Sequence, residues 1–429
     1  MTAAHIVPRE LAFYVATTFD SSGGPADWSS NGIYCHATEV DVTGLKRAVI
    51  ENKNIRRSLR RHKHKNILGL RSAESTIGLS FYAHSSPSHA AEAAAATTFH
   101  LSTLVKCALG GMDLGYAIGL DSSGAEGADE IELDSDPGYA VGDALFVYDT
   151  SATRGEFYIT NAIAAGPPVT ISLDRDLHFA VDAGGADRTY AVIDCWIDDE
   201  VTTDRASSDH TTLWVRAQGD TAEDVYTAMG VKLQLGQITI TAGEPVELPM
   251  EGPVVTHTHE TDTAEDFSAA TIYGSAGVVP GISDQTLCKI AASGSPLANA
   301  DFYGSITIDF GVKYEQLIGP NGWDGVHGYT DTGDETTIEI MVDFDDDWTT
   351  GFHAQTTYAL MIQIGVGTDA IGFYFPRLEL SAMPTREDVN NLTCSKLTFR
   401  ALGGTANTTG LSAVNARKLN APAHLFFVA

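Results

Sequence analysis

The sequence predicts a mainly antiparallel β protein with one α-helix and one or two inserted β domains. Apolar and polar residues alternate at period 2 through many short segments, the pattern of strands with one buried face. The 41 glycines stand with abundant Ser, Thr and Asp between those segments, where turns fall. No strand–helix–strand rhythm recurs, which argues against a doubly wound nucleotide fold. With 429 residues and 43% hydrophobic content, the chain can bury a large core or two to three smaller ones.

The first 128 residues begin the core. Val40 and Val42 alternate with polar neighbours, Val49 and Ile50 follow, and Ile77, Leu79 and Phe81 alternate with Gly78, Ser80 and Tyr82. These segments frame a polar stretch and predict a β-hairpin whose loop is an extended arm. A helix is expected over 87–110. Pro87 after Ser86 suits its first turn, and HAAEAAAATTF continues it. Leu101, Leu104, Val105 and Ala108 form an apolar stripe, and Gly110 with Gly111 stops it.

From 129 to 188 short strands and Gly, Pro and Asp turns follow one another at about 8–12-residue spacing. This reads as an inserted β domain, or as long hairpins on the main sheet. The core continues over 189–256, where Val231, Leu233 and Leu235 alternate with Lys232 and Gln234. A turn-rich insertion is expected at 257–304. The stretch 305–429 is the most regular. Ile306, Ile308 and Phe310 alternate there, as do Ile338, Ile340, Val342 and Phe344, then Leu378 and Leu380, then Leu397 and Phe399.

Charge is sharply segregated. The net charge is −30, yet ten of the 26 Lys and Arg residues lie between Lys46 and Arg71 beside one acid, Glu51, giving that run +9. The remaining 16 basic and 55 acidic residues leave −39 for the rest of the chain. A surface so acidic repels polyanions and favours solubility. The N-terminal MTAAHIVPRELAFYV lacks the basic region and apolar stretch of a signal peptide, and no segment approaches the roughly 18 apolar residues of a membrane span. Synthesis in a cytoplasm and no membrane partner are expected. Cys35, Cys107, Cys195, Cys288 and Cys394 are scattered without CxxC spacing and are expected to be reduced and buried.

No candidate for chemistry stands up. Asp343, Asp345, Asp346 and Asp347 lack the turn glycine and late Glu of a calcium loop, and read as a solvated strand end. Asp134 and Asp136 read as turn residues. His257 and His259 share a face if extended, as a metal pair would, but no third ligand is near in sequence. His62 and His64 lie within the basic run, where a cation is repelled. Asn391 and Asn407 begin glycosylation sequons, which mean little without secretion. GxSxG, HExxH and Walker A patterns are missing. The chain is therefore expected not to be an enzyme, and to need no cofactor or metal.

The order of segments carries a resemblance. It runs strand, charged hairpin loop, strand, helix, then strands ending in GQITITAGEPVELPMEG, and finally IGFYFPRLELSAMPTREDVNNLTCSKLTFRAL. In the last, an apolar strand ending Phe375-Pro376-Arg377-Leu378 is followed by a polar connection and a return strand ending Leu397-Thr398-Phe399-Arg400-Ala401. This resembles the tail tube (major tail) proteins of long-tailed bacteriophages over about 250 residues, departing from them by its length and by the stretches 129–188 and 257–304. The resemblance implies a β-sandwich or barrel core with a flanking helix and a long loop between early strands. It also implies a virion protein of the tail, forming stacked homo-oligomeric rings, hexameric in that family, with other tail proteins as neighbours. DNA would leave through the tube without specific binding, and acidic walls suit that because they do not grip phosphate. In that reading Lys53, Arg56, Arg57, Arg60, Arg61, Lys63 and Lys65 form an inter-subunit arm that meets an acidic neighbour.

Two other readings compete. A DNA-binding protein would use Arg56, Arg57, Arg60, Arg61, Lys63 and Lys65, although that run lacks aromatic residues for base stacking. A carbohydrate-binding tail-tip or decoration protein would use exposed aromatics such as Trp323. Trp28, Trp196, Trp214, Trp323 and Trp348 are dispersed and read as core anchors.

Overall fold

The computed structural model describes residues 11–16, 32–35, 37–45, 49–50, 67–68, 75–85, 100–115, 118–119, 128–133, 138–149, 152–164, 166, 169–178, 188–198, 210–218, 223–241, 243–261, 271–272, 286–323, 326–389, 391–404 and 411–428. The fold is mainly β, built of several antiparallel sheets with three helices among the described residues.

A broad twelve-stranded sheet forms the backbone of the molecule. Its path runs Ile238–Thr241, Ser305–Asp309, Thr337–Asp343, Leu392–Ala401, Asp369–Leu380, Thr357–Val366, Leu287–Ala292 and Ala298–Asn299. The long strand Asp369–Leu380 forks. Its second half pairs Leu378 with Ala401, while its first half pairs Ile371 with Phe427 and Tyr374 with His424. The strand His424–Val428 then pairs with Val192–Ile197, and that with Gly110–Leu114. Pro376 sits at the fork, where neither neighbouring strand has a register partner for it and the opposite ladder is irregular. A residue without an N–H is tolerated where the ladder is already interrupted.

Period-2 alternation places Ile306, Ile308, Ile338, Ile340, Leu397 and Phe399 on one buried face of this sheet. A four-stranded sheet covers that face, in the order Gln234–Leu235, Glu247–Pro253, Thr76–Tyr82, Glu39–Asp41. Ile77, Leu79, Phe81, Leu248 and Met250 point from it into the same core. The helix His100–Leu109 joins that core with Leu101, Leu104, Val105, Cys107 and Ala108 all fully buried. It ends as expected. Gly110 takes φ +97°, and a Cβ on Gly111 would overlap the Trp196 ring. The expected helical residues 87–99 lie outside the described residues.

A six-stranded antiparallel sheet, Ile118–Gly119, Arg188–Tyr190, Ala144–Asp149, Arg154–Ala164, Val169–Leu173 and Glu130–Leu133, contains the strands of 129–188. It has its own core of Ile131, Leu133, Leu145, Val147, Tyr158, Val169, Ile171 and Leu173. The other face of its central pair presents Phe146 and Phe157 to Met361, Ala370 and Phe426 of the broad sheet. That pair is thus buried on both faces. The described strands of 257–304 join two different sheets. Thr256–Thr261 pairs with Glu223–Val231, and Leu287–Ala292 with Thr357–Val366.

Three details differ from the sequence pattern. Phe344 lies beyond the end of its strand and is 38% exposed, with the Arg386 guanidinium 4.2 Å from its ring centroid. Lys232 is buried, its ammonium 4.6 Å from the centre of the Tyr314 ring, an arrangement that favours a cation over an aromatic face. Short helices Asp347–Ala354 and Ala413–Asn420 add to the single helix expected.

Candidate functional site

The basic run is the loop between two adjacent strands. Glu39–Asp41 and Thr76–Tyr82 pair antiparallel, Val40 opposite Leu79. Beyond them the chain is cinched, because Leu45 N–H donates to the Val42 carbonyl (3.0 Å) and Thr76 N–H to the Gly44 carbonyl (3.1 Å). Outside this neck Val49–Ile50 pairs with Ile67–Leu68 to form a hairpin stem. Lys53, Arg56, Arg57, Arg60, Arg61, Lys63 and Lys65, with His62 and His64, lie outside the described residues. What the structure fixes is where the run is rooted.

It is rooted in an acidic sheet. Inward alternation of Val40, Ile77, Leu79, Phe81, Leu248 and Met250 forces their neighbours outward. Glu39, Asp41, Glu247 and Glu251 are exposed there, and the four strands contain no Lys or Arg. A groove of about 500 Å³ runs over this face, its rim completed by Asp309 and Lys313. Ser80 Oγ donates to Glu247 (3.4 Å) and Gln234 Nε2 to Glu251 (3.3 Å). The outer face of the broad sheet is organised otherwise. Lys396 meets Glu339 at 3.2 Å, and Arg400 reaches both Glu379 and Glu335. The outer face of the broad sheet thus pairs its own charges, whereas the four strands of the smaller sheet carry carboxylates and no Lys or Arg.

Two ionic clusters are internal. Lys418 Nζ lies 2.7 Å from Asp143, 2.9 Å from Asp113 and 3.9 Å from Asp194, while His424 Nδ1 is 3.0 Å from Asp194. Desolvation lowers the Lys418 pKa, but the carboxylates of Asp194, Asp143 and Asp113 outweigh it and hold the ammonium well above its ordinary range. In the second cluster Glu156 accepts from Arg175 (2.8 Å) and pairs with Lys289, while Arg175 also reaches Asp174 (2.6 Å). Burial pushes the Lys289 pKa down despite Glu156. These clusters tie the six-stranded sheet and the C-terminal helix to the broad sheet, with Lys418, Asp194, Arg175 and Glu156 buried at their centres.

The remaining described candidates make local contacts. Asp345 accepts the Asp347 N–H (2.9 Å), and Asp346 stands at the start of the helix Asp347–Ala354 with its carbonyl accepting the Thr349 N–H (3.1 Å), so the aspartate run opens a helix. His259 stacks on Tyr226 at 4.4 Å, and His257 Nδ1 lies 3.5 Å from Ser75 Oγ. Among the described residues no three His, Cys, Asp or Glu side chains are grouped to hold a metal. All five cysteines are buried thiols, and desolvation pushes Cys288 up to about 12. Trp196 and Trp214 are buried and Trp348 packs on Tyr358 at 5.3 Å. The Trp28 ring, the Trp323 ring, Asp134, Asp136 and Asn407 lie outside the described residues. Asn391 occupies a hairpin turn at φ +69°.

Sequence reasoning found the basic run but missed the acidic face. Its four carboxylates come from segments about 210 residues apart in the chain, brought together only by the pairing of Thr76–Tyr82 with Glu247–Pro253. No protein-family model and no curated protein matches the chain.

Proposed function

We propose that the protein is a structural subunit of a phage tail tube, assembling head to tail into stacked rings whose acidic walls pass DNA without gripping it. One observation carries this reading. A +9 run is held as a loop between two strands of a sheet whose outer face bears carboxylates and no Lys or Arg. Donor and acceptor charges on different surfaces of one chain favour heterologous contacts, which close into rings or continue as stacks. The mainly β sandwich, its core helix and the long loop between early strands fit the segment order described above. Individual exposed ion pairs contribute only about 0–1 kcal/mol, so they orient copies more than they bind them. Sedimentation velocity over a concentration series at moderate salt tests the reading. Large, concentration-dependent oligomers are the expected result. A species that stays monomeric at every concentration overturns it.

A further inference from the structure

We infer that the groove on the outer face of the four-stranded sheet receives the basic segment 51–66 of a second copy of this chain. The inference rests on the self-assembly reading and names the surface it uses.

Register defines the acceptor. Asp41 lies opposite Gly78, Gly78 opposite Glu251, and Glu251 opposite Gln234. The next outward row is Glu39, Ser80 and Pro249. Strands are spaced about 4.8 Å, so the Asp41 and Glu251 backbones stand about 10 Å apart with only a glycine between them. The result is a channel with a carboxylate on each bank and no side chain on its floor. Its width suits one extended cationic side chain.

Charge complementarity identifies the occupant. Segment 51–66 holds seven Lys and Arg residues against the single Glu51. Elsewhere the chain is strongly acidic, and basic residues such as Lys396 and Arg400 pair with carboxylates of their own sheet. The run is therefore the concentrated cationic complement this chain possesses. Its stem, Val49–Ile50 with Ile67–Leu68, pairs with itself and with no other described strand. The 16 residues beyond the stem reach at most about 26 Å as a loop, enough to cross to a neighbouring subunit.

The test uses full-length protein. Heavy- and light-isotope copies are mixed, allowed to assemble and treated with a zero-length carbodiimide cross-linker. Cross-links between Lys53, Lys63 or Lys65 of one isotope and Glu247 or Glu251 of the other are expected. Two variants accompany it. Glu247→Gln with Glu251→Gln removes the charge on one bank. Gly78→Thr fills the channel without changing charge, in a strand that favours β-branched residues and where a Cβ meets Asp41 at an ordinary 3.5 Å. Each should raise the concentration needed for assembly by about tenfold or more while near-UV circular dichroism stays that of the wild type. Cross-links confined to one isotope overturn the inference by placing the segment on its own chain. So do variants that assemble like wild type, and then self-assembly itself stands. A wild-type protein that never assembles overturns the underlying reading instead.

Discussion

Lys418→Met removes a lysine that faces three carboxylates, with little change in side-chain volume. Its ammonium is 4% exposed, Asp194 3% and Asp143 12%. Breaking a buried pair by removing one partner costs about 3–5 kcal/mol, because the remaining charges stay desolvated without a counter-ion. The unfolding entropy is about 2.1 cal/mol/K per residue, or about 0.9 kcal/mol/K for the whole chain, so Tm should fall by about 3–6 °C if it unfolds as one unit. Calorimetry at neutral pH measures this. Adding Asp194→Asn should restore part of the loss, since the two sites share one network. The pH dependence follows from the raised Lys418 pKa. Its contribution is complete below the unfolded value of about 10.4 and disappears as pH rises through the folded value. The gap between wild type and variant should therefore hold from pH 7 to 10 and narrow only in stronger alkali. A variant within about 1 kcal/mol of wild type at pH 7 would refute the buried cluster.

Other outcomes follow from the same packing. Glu156→Gln leaves Arg175 and Lys289 together without their shared carboxylate. Hydrogen exchange should then accelerate in 130–173, by a local loss of about 3 kcal/mol, while Thr337–Asp343 stays protected. Gly111→Ala drives a methyl into the Trp196 ring and should destabilise by about 1–3 kcal/mol with a shift in tryptophan emission. Reversing Arg56, Arg57, Arg60 and Arg61 to Glu should leave a folded monomer that no longer assembles, seen by sedimentation. Raising salt should weaken wild-type assembly in the same direction, since exposed charges are screened.

The mainly β class was legible because alternation survives in the finished sheets. Ile338, Ile340, Leu397 and Phe399 all face inward as the pattern requires. Alternation does not say where a strand stops, and so Phe344 emerged outside its sheet. Nor does it anticipate that the Tyr314 ring lets Lys232 be buried. The helix Asp347–Ala354 was hidden because Thr349, Thr350 and Gly351 are poor helix formers. The helix Ala413–Asn420 is short and signalled mainly by Ser412, which accepts the Asn415 N–H at 3.1 Å. The ionic clusters were invisible for a simpler reason: Lys418 and Asp113 are 305 residues apart in the chain. For the candidate interface, the donor was plain in composition. The acceptor depended on strand pairing, which brings Asp41 and Glu251 to either side of Gly78.

Negative-stain microscopy of wild-type protein beside the four-arginine reversal tests the central claim most directly. Rings and stacked tubes in the wild type, with single particles in the variant, are the predicted result. Wild-type fields of single particles alone, at high concentration and moderate salt, would contradict it.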